Sequence, residues 1–120
     1  MNIEIHTIND TRIAEVISDE HMITSLEDAT DLIGNLYYQE ADKVILHEKA
    51  IAPAFFDLKN KLAGGILQKF SNYRMRLAIV GDFGRYPGKA LGDFIRESNK
   101  GGQINFVSSR AEAISALSKG

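Results

Sequence analysis

The sequence predicts an α/β domain with a single-layer, mixed and mostly parallel five-stranded sheet flanked by helices, in the order β-β-α-β-α-β-α-β-α. Three observations predict it. Short runs rich in Ile, Val and Leu recur at 2–8, 13–17, 43–47, 77–80 and 103–107. Between the later runs, apolar residues return every three or four positions, the helical period. After the second run, strand and helix alternate, which implies parallel strands joined by right-handed crossovers.

Each element has its own signal. In the first run Ile3, Ile5 and Ile8 alternate with polar residues, a half-buried strand pattern. Asn9-Asp10 is a turn signal. Ile13, Ala14, Val16 and Ile17 then return as an antiparallel partner, so the chain opens on a hairpin. Ser25, followed by Asp28 three residues on, marks a helix start close to a capping box. Leu26, Ala29, Ile33, Leu36 and Tyr37 share one face of that helix. Lys43 to His47 is a short buried strand. Pro53 suits a first helical turn, and Phe55, Leu58, Leu62, Ile66, Phe70 and Tyr73 predict one helix over 53–72. Leu77 to Val80 is the fourth strand. Leu91, Phe94 and Ile95 mark a third helix, ended by Gly101-Gly102. The fifth strand follows, and Ser109 with Glu112 caps a closing helix through Ala113, Ile114 and Leu117.

Composition narrows the class. The chain has 120 residues, 44% of them hydrophobic and 25% charged, ordinary for one globular domain over 1–120. There is no cysteine, which excludes disulfides, thiol nucleophiles and thiolate metal sites. The three histidines are scattered without a helical His-x-x-x-His pair, so no metal site or cofactor is expected. The longest apolar run, 50–56, is too short to span a bilayer and contains Pro53. The first residues lack a basic and then apolar leader, and the expected location is the cytoplasm. A net charge of -2 argues against a nucleic-acid partner. Residues 1–42 carry ten acids and one base, residues 43–120 thirteen bases and six acids. Either the halves interleave and neutralise each other, or they form a dipolar docking surface.

The middle of the chain carries a resemblance. Phe55-Phe56-Asp57-Leu58-Lys59, Leu62-Ala63-Gly64, Ile66-Leu67-Gln68-Lys69-Phe70-Ser71-Asn72-Tyr73, Leu77-Ala78-Ile79-Val80-Gly81-Asp82-Phe83 and Glu97-Ser98-Asn99-Lys100-Gly101 closely resemble a bacterial family, domain of unknown function 4180. The resemblance implies no established activity. The chain departs from the family pattern at Gly65, where an acid is usual, and in the loop Gly84-Arg85-Tyr86-Pro87-Gly88, which is usually richer in Ser and Lys. The element order is also similar to that of STAS domains, the sulfate-transporter and anti-sigma-factor-antagonist fold, a match of topology that does not carry function. Phosphorylated STAS regulators hold a serine where a strand leads into a helix. Here that connection, from His47 to Pro53, has no hydroxyl residue.

Candidate site residues follow from the expected topology. Ligands of open parallel sheets bind beyond the carboxyl ends of the strands. That rim gathers Ser18, Asp19, Glu20 and His21; His47, Glu48 and Lys49; Asp82, Arg85 and Tyr86; and Ser108, Ser109 and Arg110. His47, Glu48 and Asp82 could share a proton or a cation, or could simply cap helices and face water. Residues 81–88 are neither a Walker A loop nor a dinucleotide fingerprint. With Arg85 and Lys89 near a helix start they form either a small-anion site or a surface turn. Gly64-Gly65, inside the most periodic helix, predicts close approach of another backbone, in the fold or across a homodimer, or else a local kink. Phe55-Phe56 would point two adjacent rings to different faces, so one of them either fills a pocket between elements or forms part of an exposed apolar contact patch. Three functions compete: a regulatory or protein-interaction module, a small-molecule or anion binder at the rim using His47, Glu48, Asp82, Arg85, Tyr86 and Ser108, and an enzyme built on His47, Glu48 and Asp82.

Overall fold

The computed structural model describes residues 2–86 and 88–118. Pro87, part of the glycine-rich loop, lies outside the described residues. Five strands form one sheet in the order β1 (Asn2–Ile8), β2 (Thr11–Ile17), β3 (Lys43–His47), β4 (Arg76–Val80) and β5 (Ile104–Val107). β1 pairs antiparallel with β2, and the rest run parallel. Asn9 and Asp10 both take positive φ, 51° and 64°, as the two-residue hairpin turn between β1 and β2 requires.

Four α-helices complete the fold: α1 (Leu26–Tyr38), α2 (Leu62–Asn72), α3 (Ala90–Gly101) and α4 (Arg110–Ser118). Strand order equals chain order, so every crossover moves one place in the same direction. Right-handedness then puts all crossover helices on one face. Ala14, Val16, Val44, Leu46, Leu77, Ile79, Ile104 and Phe106 form that face and bury Leu32, Ile33 and Leu36 of α1, Ile66 and Phe70 of α2 and Leu91 of α3. α4 returns across the other face. There Ala113 and Leu117 cover Ile13, Ile45 and Ala78.

Caps fix the helix ends. The Asp28 backbone N–H donates to Ser25 Oγ at 3.1 Å, and the Asp28 carboxylate reaches back to the Thr24 N–H at 2.9 Å. Ser109 Oγ accepts from the Glu112 N–H at 3.1 Å, as its capping box predicts. At the far end of α4, Arg76 of β4 donates to the carbonyls of Ala116 (2.8 Å) and Leu117 (3.3 Å), a cation on a helix C-terminus. α3 ends at Gly102 in the left-handed region, φ 76°. The Asn99 side chain then bonds both backbone groups of Phe106, covering the outer edge of β5.

The single helix expected over 53–72 is not formed. Two 3-10 turns, Pro53–Phe56 and Leu58–Asn60, precede α2. The interruption is local polar chemistry. Asp57 Oδ1 accepts from the Lys59 N–H at 3.2 Å, and Asn60 bonds both the Ala54 carbonyl and the Leu62 N–H. Such side chains offer the backbone an alternative to the helix ladder. Lys61 then sits in the left-handed region, φ 62°. The apolar spacing survives because the turns bury their residues against the same core. Phe55 and Phe56 are therefore both buried, since the rings leave a tight turn rather than one regular helix. Gly64 and Gly65 move from mid-helix to the first turn of α2. A Cβ on Gly65 would lie 2.8 Å from Leu26 Cδ2 of α1, so the close neighbour there belongs to the same chain.

Candidate functional site

The carboxyl ends of the strands carry two carboxylate-centred clusters, one on each face of the sheet. The first is built on β2. Successive side chains of a strand alternate between faces, so Glu15 shares the α4 face with Ile13, whereas Ala14 and Val16 face the crossover helices. Glu15 is 3% exposed. Such burial of a charge is costly unless it is paired, and Glu15 is paired on both oxygens. Oε1 lies 2.8 Å from His6 Nε2 and accepts from Arg110 Nε at 2.8 Å, and Oε2 lies 2.7 Å from His47 Nε2. Burial pulls the carboxyl upward. The bonds to His47 and His6 and the Arg110 charge outweigh it, so the group titrates below the ordinary carboxylate value.

The second cluster is centred on Glu48, the residue after His47. Its carboxylate accepts from Tyr86 Oη, from Arg85 Nη2, and from the Asp82 backbone N–H at 3.2 Å. Phe56 stacks on Tyr86 with centroids 4.8 Å apart, and the Arg85 guanidinium lies 4.9 Å over the same ring. Burial and the bond to Glu48 push the Tyr86 phenol up to about 12. Burial raises the Glu48 pKa as well, but the Tyr86 and Arg85 bonds prevail and hold it below its ordinary value of 4.5. Gly81 makes the approach of the two loops possible: a Cβ there would meet Glu48 Cβ at 2.7 Å and Oε1 at 2.6 Å. Of residues 81–88 only Gly88 takes positive φ among the described positions, so the role of Gly81 is steric.

The depressed Glu48 group sets a pH dependence. Its contribution to stability is complete above the unfolded value near 4.5 and is lost as pH falls through the lower folded value. Glu48→Gln should therefore flatten the acid limb of the stability curve, read from urea midpoints between neutral pH and about pH 3. Parallel limbs for wild type and variant would show that Glu48 is not held ionised.

The structure thus divides the residues expected to act together. His47 points to Glu15, Glu48 to Arg85 and Tyr86, and Asp82 contributes only its backbone N–H. Adjacent residues at a strand end face opposite sides, which is why His47 and Glu48 separate. The rest of the rim is occupied by turns and caps. Ser108 and Ser109 bond Glu112, Ser18 closes a turn on Glu20, and His21 Nδ1 bonds the Lys49 carbonyl. Sequential strand order also leaves no topological switch point, where the crevice of doubly wound sheets forms. Arg85, the expected anion ligand, already holds the chain's own carboxylate. Phe55 and Phe56 lie in the core, Gly65 packs on Leu26, and a Cβ on Gly64 would meet open space.

Glu15 and His6 are the site residues that sequence reasoning missed. The signal was a lone acid within Ile13-Ala14-Glu15-Val16-Ile17, an otherwise apolar strand, opposite a strand that alternates Glu4 and His6 with isoleucines.

Sheet and site together define a singly wound α/β protein whose strand-end polar groups are gathered into two carboxylate centres. The chain belongs to the family described as Domain of unknown function (DUF4180), which matches residues 8–117. Neither the curated proteins nor the solved structures give a match. Among the described residues no helix is long and apolar enough to cross a membrane.

Proposed function

We propose that this domain is a cytoplasmic protein-interaction module that pairs with a second copy of itself through the outer face of α1 and α2. The observation that carries the reading is Gly34. It lies in the middle of α1 and is exposed, and a Cβ on it would find no atom within 4 Å. A mid-helix glycine costs about 1 kcal/mol relative to alanine, and the chain's own packing gives no reason for it. Close approach of a partner does.

The surroundings support this. Tyr37 (70% exposed) and Tyr38 (91%) at the end of α1, and Tyr73 (50%) just past α2, are exposed. Tyr37 and Tyr73 flank a cleft of about 320 Å³ with Thr30, Ile33 and Gly34. Tyrosine is enriched at interfaces and among their energetic anchors. Charge supplies the choice of occupant. α1 carries Glu27, Asp28 and Asp31 and no base, while α2 and its flanks carry Lys59, Lys61, Lys69 and Arg74 and no acid beyond Asp57. A two-fold axis would lay the acidic helix of one copy over the basic helix of the other. The STAS-like element order supports the regulatory side of this reading as a resemblance only. The cytoplasmic assignment rests on the absence of cysteine from the sequence. Anion binding at the rim is less well supported, because Arg85 is paired with Glu48.

Sedimentation velocity at tens of micromolar tests the reading, and a dimer is expected. Gly34→Leu should give a monomer of undiminished thermal stability, because the site has room in one chain and leucine favours the helix. A wild-type monomer, or a Gly34→Leu dimer, overturns it.

A further inference from the structure

The hairpin places Glu4 directly opposite Glu15, and His6 two residues along on the same face as Glu4. Like charges directly opposed across two strands are destabilising. One ligand atom from each of Glu4, His6 and Glu15 lies within 4.8 Å of the other two. Arg110 supplies the positive charge, and it does so with a conflict. Its Nε donates to Glu15 Oε1, while its Nη2 lies 3.1 Å from His6 Nε2, which itself lies 2.8 Å from Oε1. A guanidinium N–H only donates. His6 Nε2 has one in-plane position, so it either donates to Glu15 or accepts from Arg110. In the first case two N–H groups face each other, and in the second a lone pair faces a carboxylate oxygen.

A cation bound to both His6 Nε2 and Glu15 Oε1 removes the conflict, since the lone pair and the carboxylate then face positive charge. Two carboxylates and one neutral imidazole balance a divalent ion. A metal–donor distance of roughly 2.1 Å sets tetrahedral donors about 3.4 Å apart, within reach of this group once exposed Glu4 turns inward. His47, on Glu15 Oε2 at 2.7 Å, would orient the ligating carboxylate from behind. The Arg110 side chain is 51% exposed and can swing into water.

We propose that Glu4, His6 and Glu15 form a binding site for a divalent transition-metal ion of the zinc class, with Arg110 as its displaceable internal counterion. The imidazole and carboxylate donors suit zinc and its first-row neighbours, and solvent completes the coordination.

Calorimetric titration of the untagged full chain with zinc, and absorption spectra with cobalt, test this at neutral pH. One ion per chain is expected. His6→Ala and Glu15→Gln should each weaken binding roughly tenfold or more, and His21→Ala should leave it unchanged. Arg110→Gln should tighten binding, an effect of opposite sign to the destabilisation that a purely structural ion pair predicts. If Glu15→Gln does not fold, the more exposed His6→Ala and Glu4→Gln carry the comparison. Absence of binding in wild type, loss of binding with His21→Ala, or no gain with Arg110→Gln overturns the proposal.

Discussion

Ile79→Ala should lower the unfolding free energy by about 2–5 kcal/mol, the range for deleting a fully buried aliphatic side chain. Ile79 is 0% exposed on β4, in register with Leu46 of β3 and Phe106 of β5. It points into the layer shared with the crossover helices, where core residues of several elements meet. Neighbours fixed on three paired strands cannot collapse into the space left behind, so the cavity adds to the lost transfer energy. Urea denaturation reads the effect directly. Lys100→Ala, at a largely exposed residue of α3, should stay within about 0.5 kcal/mol of wild type. A midpoint for Ile79→Ala as close to wild type would contradict the register of β4.

Gly81→Ala should cost about 1–3 kcal/mol, as over-packing does, whereas Gly65→Ala should be near neutral. Both positions are crowded, but by different atoms. The new methyl at Gly81 meets Glu48 Cβ at 2.7 Å and Phe83 Cζ at 3.0 Å, and the Gly81 N–H is held on the Val107 carbonyl at 3.0 Å. A Cβ atom moves only with its backbone, so the ends of β3 and β4 must part. At Gly65 the obstacle is Cδ2 of Leu26, the tip of a side chain 43% exposed and free to rotate. Equal effects of the two substitutions in denaturant titrations would show that the loop after β4 is not clamped by Glu48.

Local signals in the sequence placed the five strands, their mixed direction and α1, α3 and α4, whereas the helix expected over 53–72 forms only from Leu62. They placed these elements because strand and helix periods are local and set by which residues must be buried. The sequence also located the Ser25 and Ser109 caps, because a cap is a contact between near neighbours. Where local signals disagreed, periodicity misled: Asp57 and Asn60 divide the segment 53–72, although its apolar spacing is unbroken. The candidate site was legible only in part. His47, Glu48, Arg85 and Tyr86 could be placed at strand ends, but not their partners. Pairing of Glu48 with the loop after β4, and of Glu15 with His6, His47 and Arg110, joins residues far apart in the chain, and within the Glu15 cluster Arg110 also reaches His6, 104 positions away. Only tertiary structure decides such contacts, because they depend on strand order and on which face each side chain leaves. The same holds for the sheet as a whole. Alternating elements imply parallel strands, but only the order β1-β2-β3-β4-β5 removes the switch-point crevice and puts the three crossover helices on one face, with α4 covering the face on which Glu15 lies.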